Sequence, residues 1–109
     1  ALGDACVGCF TNRNELWNLL DASATAAGQP FWRMPLMSRY AEMMKSDVAD
    51  LINAAPGGKG GACTAAAFLE HFIDDCQAWA HLDIAGVMQA KGADGVLAKG
   101  MTGIPTRTL

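Results

Sequence analysis

The stretch AAPGGKGG, residues 54–61, places four glycines and a proline in eight positions. No helix or strand can run through such a stretch, so it is read as a loop. Anything helical before it must end by residue 53, and the next element must begin afresh after it. The stretch before a helix also invites comparison with a phosphate-binding loop, but the G-x-x-x-x-G-K-[ST] spacing is missing. Lys59 is followed by Gly60, and Thr64 lies too far on. Glycine-rich flexibility is the reading that remains.

Helical spacing appears on both sides of this break. Leu16, Leu19 and Leu20, with Trp17 beside them, predict a helix over 12–27. Asn12 and Glu15 have the spacing of a capping box, while Gly28 and Pro30 form a stop signal. FWRMPL (31–36) is expected to be extended, because Pro35 biases Met34 away from the helical region. Ser38 is placed to cap a second helix through RYAEMMKSDVADLIN, with a possible break near Ser46. ACTAAAFLEHFIDD (62–75) predicts a third helix whose small residues permit close approach to a neighbour. Residues 79–84 change period: Trp79, His81 and Asp83 face one way and Ala80, Leu82 and Ile84 the other, as on a strand that Gly86 ends. Residues 1–10 read only as an apolar segment broken at Gly3 and Gly8, and QAKGADGVLAKG (89–100) as a flexible loop.

Composition narrows the function classes. The chain has 109 residues, enough for one domain with one modest core, and 51% are hydrophobic against 17% charged. That is a light charge for a small chain, so apolar surface is expected to be exposed or covered by partners. A net charge of −3 with scattered basic residues gives no nucleic-acid footprint. No apolar run approaches the roughly 20 residues of a membrane helix, and ALGDACVGCF lacks the basic start of a secretory signal. A cytoplasmic location with four reduced cysteines is therefore expected. The start at Ala1 and the Pro105–Thr106 pair, which resembles a helix entrance, lead us to expect one partial domain over 1–109, cut at both ends.

Several groups are candidates for chemistry. Cys6 and Cys9 form a C-x-x-C ahead of a helix, compatible with a thiol redox or metal-binding module, though the context expected of a thioredoxin-like motif is missing. Cys63, Cys76, His71 and His81 add no second close pair for zinc. Asp47, Asp50, Asp74 and Asp75 are carboxylates available to a metal, but read more simply as solvated charges. His81 and Asp83 share a strand face roughly 7 Å apart, with no nucleophile beside them.

Taken together, FWRMPL with Tyr40, KSDVADLIN, GGACTAAAFLEHFI, WAHLDIAGVM and KGMTGIPTRTL resemble, in order, the C-terminal catalytic region of the M17 leucyl aminopeptidases. CFTNRNELWNLL resembles the helix entry before it. The resemblance implies an α/β fold in which part of a mixed β-sheet is flanked by helices. It also implies a cytosolic hydrolase that removes N-terminal apolar residues, leucine preferred, from peptides. Two divalent metal ions (zinc, manganese or magnesium) and a homo-hexameric assembly are implied for the parent enzyme. The family's metal ligands and catalytic residues lie in motifs that include NTDAEGR, which this sequence lacks, so the segment alone is expected to bind no metal and to be inactive. What it does carry, by the same resemblance, is substrate-binding positions. Ala85 and Met88 match residues lining the pocket for the N-terminal side chain, and a pliable Met suits leucine. Ala54 falls where isoleucine commonly lines the next subsite, in INAAPGG where NNIG is usual, and implies a roomier subsite. Cys6 and Cys9 fall on positions that are normally apolar in the family.

Overall fold

The computed structural model describes residues 2–45, 60–75, 77–90 and 100–109. Its centre is a strand that periodicity did not reveal. β1, Val7–Thr11, is buried at every position. Gly8 lies inside this strand and does not break the segment. A strand buried on both faces shows no polar alternation, so VGCFT gives only a short apolar run to a period-two reading.

α1, Asn14–Ala27, returns the chain to β2, Phe31–Arg33, which pairs parallel to β1 with Val7 opposite Phe31. On the other side β3, Ala80–Asp83, pairs antiparallel, with Gly8 opposite Asp83 and Thr11 opposite Ala80. The sheet order is β2-β1-β3. The two faces of β1 feed two cores. Val7 and Cys9 pack with Ala24 of α1, Phe31 and Val87, flanked by Trp17, Leu20, Leu82 and Ile104. Phe10 points the other way, against Cys63 and Ala66 of α3, Gly61–Glu70, with Met34, Leu36, Tyr40 and Trp79 around them. Full burial of a side chain like Phe10 contributes about 1.5–3 kcal/mol. The mixed sheet between helices matches the expected α/β class. Apolar surface is also exposed, as the composition implied: Trp32 and Phe72 are 65% and 69% accessible.

The predicted ends of elements shift for identifiable reasons. Gly28 ends α1 as expected: at φ 66° its N–H reaches back to Ala24 and Thr25, a conformation that favours glycine. The capping box does not form. Arg13 is the N-cap and contributes no side-chain bond. Asn12 is engaged elsewhere: its Nδ2 donates to the Gln77 carbonyl at 2.8 Å and its Oδ1 accepts from the Trp79 N–H at 2.9 Å. Thr11 Oγ1 donates to the Trp79 carbonyl at 2.7 Å. The polar groups at the start of α1 thus fasten the entry of β3. Ser38 likewise does not cap: it is the first residue of α2, Ser38–Glu42, and Met37 is the N-cap. Residues 46–53 of the predicted second helix lie outside the described residues. The third helix stops at Glu70 and continues only as turns.

Residues 89–100 are not simply a loop. Their ends form a two-stranded ladder, β4 Gln89–Ala90 against β5 Gly100–Met101. The Pro105–Thr106 pair opens no helix within the chain. Residues 104–108 make turns that dock on the carboxyl end of α1. Ser23 Oγ donates to the Thr108 carbonyl at 2.6 Å, and the backbone N–H and Oγ1 of Thr108 both donate to Gln29 Oε1. Arg107 donates to the Ala27 carbonyl at 2.6 Å, where a cation meets the negative end of the helix dipole.

Asn12→Ala removes both of its bonds to the entry of β3. Unfolding measurements are expected to show a loss of about 1–2 kcal/mol, with Asn12→Asp, which keeps the acceptor, losing less.

Candidate functional site

β3 delivers the chain into a tight turn at the amino end of β1, because Asp83 stands opposite Gly8. Asp83 Oδ1 accepts the Ala85 N–H at 3.2 Å, an Asx-type turn two residues on. The Val87 N–H donates to the Ile84 carbonyl at 3.1 Å, closing the loop. Gly86 lies against the Gly3 carbonyl so closely that a Cβ could not be placed there. Val87 is 4% accessible and anchored in the core beside Val7 and Phe31. Ala85 is exposed, and Met88 is 39% accessible. The two candidate substrate residues therefore flank a buried anchor on a short, backbone-bonded turn.

Thr102 completes this turn from behind. Its N–H donates to the Met88 carbonyl at 3.0 Å, and its Oγ1 donates to the Val87 carbonyl at 2.6 Å. The same hydroxyl accepts the Ile104 N–H at 3.2 Å. Sequence reasoning assigned Thr102 no role. Ala54, the third candidate, lies outside the described residues, as do Asp47 and Asp50.

His81 and Asp83 do not form a catalytic pair with a nucleophile. His81 stacks on Trp79, with ring centroids 6.4 Å apart and planes 13° apart, and lies 5.8 Å from the Phe10 ring. Burial among these rings lowers its pKa, and the nearby Asp83 carboxylate opposes the shift. Asp83 is bonded to the turn. Both residues shape the strand and its exit.

Cys6 and Cys9 are free thiols. Cys9 is fully buried on β1, and burial pushes its pKa up to about 11, with Arg33 pulling weakly the other way. A thiol held protonated in a core is a poor nucleophile and a poor metal ligand. Among the described residues, no three His, Cys, Asp or Glu side chains gather to hold a metal ion. A hollow of about 510 Å³ opens at the carboxyl ends of β1 and β2, lined by Thr11, Arg33, Met34, Pro35, Leu36 and Met37. It lies at the opposite end of β1 from the Asp83–Met88 turn. Of its polar groups, the Thr11 hydroxyl donates to the Trp79 carbonyl and Arg33 gives one N–H to Asn14 Oδ1.

Solved aminopeptidase structures share this architecture, part of a mixed sheet between helices. The catalytic-domain model of the cytosol aminopeptidase family, peptidase family M17, matches residues 1–109, and the chain belongs to that family. It is 52% identical to a cytosol aminopeptidase of Dictyostelium discoideum and 48% identical to that of Homo sapiens, in each case over 100% of this chain and 21% of the relative. It thus spans about a fifth of the length of these relatives. Among solved structures it is similar to a mutant of tomato leucine aminopeptidase (TM-score 0.86, 41% identity, 98% of this chain and 20% of that one). It is also similar to the bottromycin maturation enzyme BotP in complex with Mn (TM-score 0.93, 34% identity, 99% of this chain and 24% of that one). Among the described residues, no helix is long and apolar enough to cross a membrane.

The depressed pKa of His81 has a consequence for pH. The unfolded chain takes up a proton near the ordinary imidazole value of 6.5, whereas the folded chain resists it until lower pH. Stability from neutral His81 is therefore present above that value and is lost as pH falls through it toward the folded pKa. Thermal unfolding between pH 7 and 5 is expected to show this loss, and His81→Phe to flatten it.

Proposed function

We propose that this chain forms the wall of the pocket that receives the N-terminal side chain of a peptide in a metal-dependent leucyl aminopeptidase. The carrying observation is the Asp83–Met88 turn. It presents a small Ala85 and a half-exposed Met88 on a backbone whose buried anchor, Val87, is fixed in the core. A small residue leaves room and a flexible thioether fills it, which favours leucine and similar apolar side chains. The similarity to an enzyme named for leucine supports that preference.

In this reading the whole enzyme hydrolyses the first peptide bond of its substrates and works in the cytoplasm as a homo-hexamer. Ala54 lines the subsite for the second residue. The similarity to BotP in complex with Mn supports a divalent-metal enzyme, with two ions of zinc, manganese or magnesium. The family's ligand-bearing motifs, NTDAEGR among them, are missing from this sequence, so this reading assigns the ions to other parts of the enzyme. The contribution of this chain is to seat and orient the substrate, which decides how often the scissile carbonyl reaches the reacting position.

In the complete enzyme, Met88→Ala is expected to reduce kcat/KM for a leucyl substrate by about 10-fold relative to an alanyl one, the usual scale for lost apolar pocket contacts. An unchanged ratio would overturn the assignment. The isolated 109-residue chain, supplied with manganese and a leucyl chromogenic substrate, is expected to give no metal-dependent turnover.

A further inference from the structure

We propose that Thr102 is a positioning residue for substrate selectivity, holding the Ala85–Met88 wall in place through two consecutive carbonyls. This rests on the reading of Ala85 and Met88 just given. The Thr102 N–H fixes the Met88 carbonyl at 3.0 Å and its hydroxyl fixes the Val87 carbonyl at 2.6 Å. The hydroxyl is itself oriented, because it accepts the Ile104 N–H at 3.2 Å and so presents its proton to Val87. Ile104 packs against the same core as Val87. The β4–β5 pairing brings Gln89 opposite Met101, so the clamp begins where the ladder ends.

The geometry separates two jobs within the turn. The Gly86–Gly3 contact limits displacement of the backbone at Gly86. Thr102 restrains the backbone at Met88, the residue whose side chain is left partly exposed. A Met side chain has three rotatable bonds and adapts readily, so its reach is set by where its backbone is held. Loosening the Val87 carbonyl moves the base of that side chain without removing any atom of the wall. The effect belongs to recognition of the N-terminal side chain. It should therefore appear in KM for bulky apolar residues more than in kcat.

The test uses the complete enzyme, variants at Thr102, Ser23 and Met88, and leucyl and alanyl substrates. Thr102→Val keeps the side-chain shape and removes the hydroxyl. It is expected to lower the leucyl-to-alanyl kcat/KM ratio by about 3- to 10-fold, mainly by raising the leucyl KM. Thr102→Ser restores the donor and is expected to restore most of the ratio. If the valine enzyme does not fold, Thr102→Ala makes the same deletion. Ser23→Ala breaks a different attachment of the same C-terminal segment, at the Thr108 carbonyl. It is expected to lower the melting temperature and leave the ratio unchanged. A ratio unmoved by loss of the Thr102 hydroxyl, while Met88→Ala moves it, would overturn the positioning role and leave the wall intact. A ratio that Ser23→Ala moves equally would reduce Thr102 to general support. A ratio unmoved by Met88→Ala would overturn the wall itself, and this inference with it.

Discussion

Burial of β1 on both faces is the constraint from which the rest of the arrangement follows. Five successive residues, Val7 to Thr11, are shielded from water, so each face needs a cover and each edge a neighbour. The parallel neighbour β2 requires a crossover, which α1 supplies, and α1 in turn covers the Val7–Cys9 face. The Phe10 face is covered by α3, whose Cys63 and Ala66 are small enough to let the helix approach. The antiparallel neighbour β3 then fixes the turn. With Asp83 opposite Gly8, the chain leaves the sheet beside residues 2–6, and Gly86 comes to rest on Gly3. A one-residue slip in that register would turn Leu82 from the first core toward the opposite face and displace the turn with it.

The polar side chains follow from the same packing. Among the described residues, no buried side-chain nitrogen or oxygen lacks a hydrogen-bond partner. Gln29 and Thr108, both buried, satisfy each other, and Thr11 and Asn12 satisfy the backbone where β3 enters. A buried group left unpaired costs about 1–3 kcal/mol, more than a helix cap usually contributes beyond its alternatives. Asn12 gives its side chain to the backbone where β3 enters, and the first turn of α1 has no side-chain cap.

The elements legible in the sequence are those with one wet face. α1 shows its 3.6-residue spacing because its outer side carries Asn18, Asp21 and Thr25. β3, half-buried at every position, shows its alternation through residue type, with His81 and Asp83 on one face and Ala80 and Leu82 on the other. β1 has no wet face, and β4 and β5 are two residues each, below the length at which any period registers. At the candidate site, only family resemblance points to Ala85 and Met88, since neither residue type announces chemistry. Thr102 was not found at all. Its hydroxyl acts on a carbonyl 15 residues away, and a threonine bonded to a distant backbone group looks in sequence like any other threonine. The conspicuous groups misdirected in the opposite sense. His81 owes its lowered pKa to burial beside aromatic rings, and Cys9 owes its raised one to burial in the core.

On the proposed function, the division between a fixed backbone and an adaptable side chain is what a pocket for one class of side chain requires. A rigid wall of branched residues would match a single shape and discriminate by overpacking, whose cost of about 1–3 kcal/mol rises steeply with each added methylene. A wall mobile in its backbone would match many shapes and favour none, because ordering it would consume binding free energy. Here the backbone is held at Val87 by burial, at Gly86 by contact with Gly3, and at Met88 by Thr102, while the Met88 side chain can change shape at its exposed end. That combination pairs a fixed backbone with an adaptable side chain. In the proposed reading such a wall would admit apolar residues near the size of leucine with little reorganisation and leave a smaller residue without a surface to pack against.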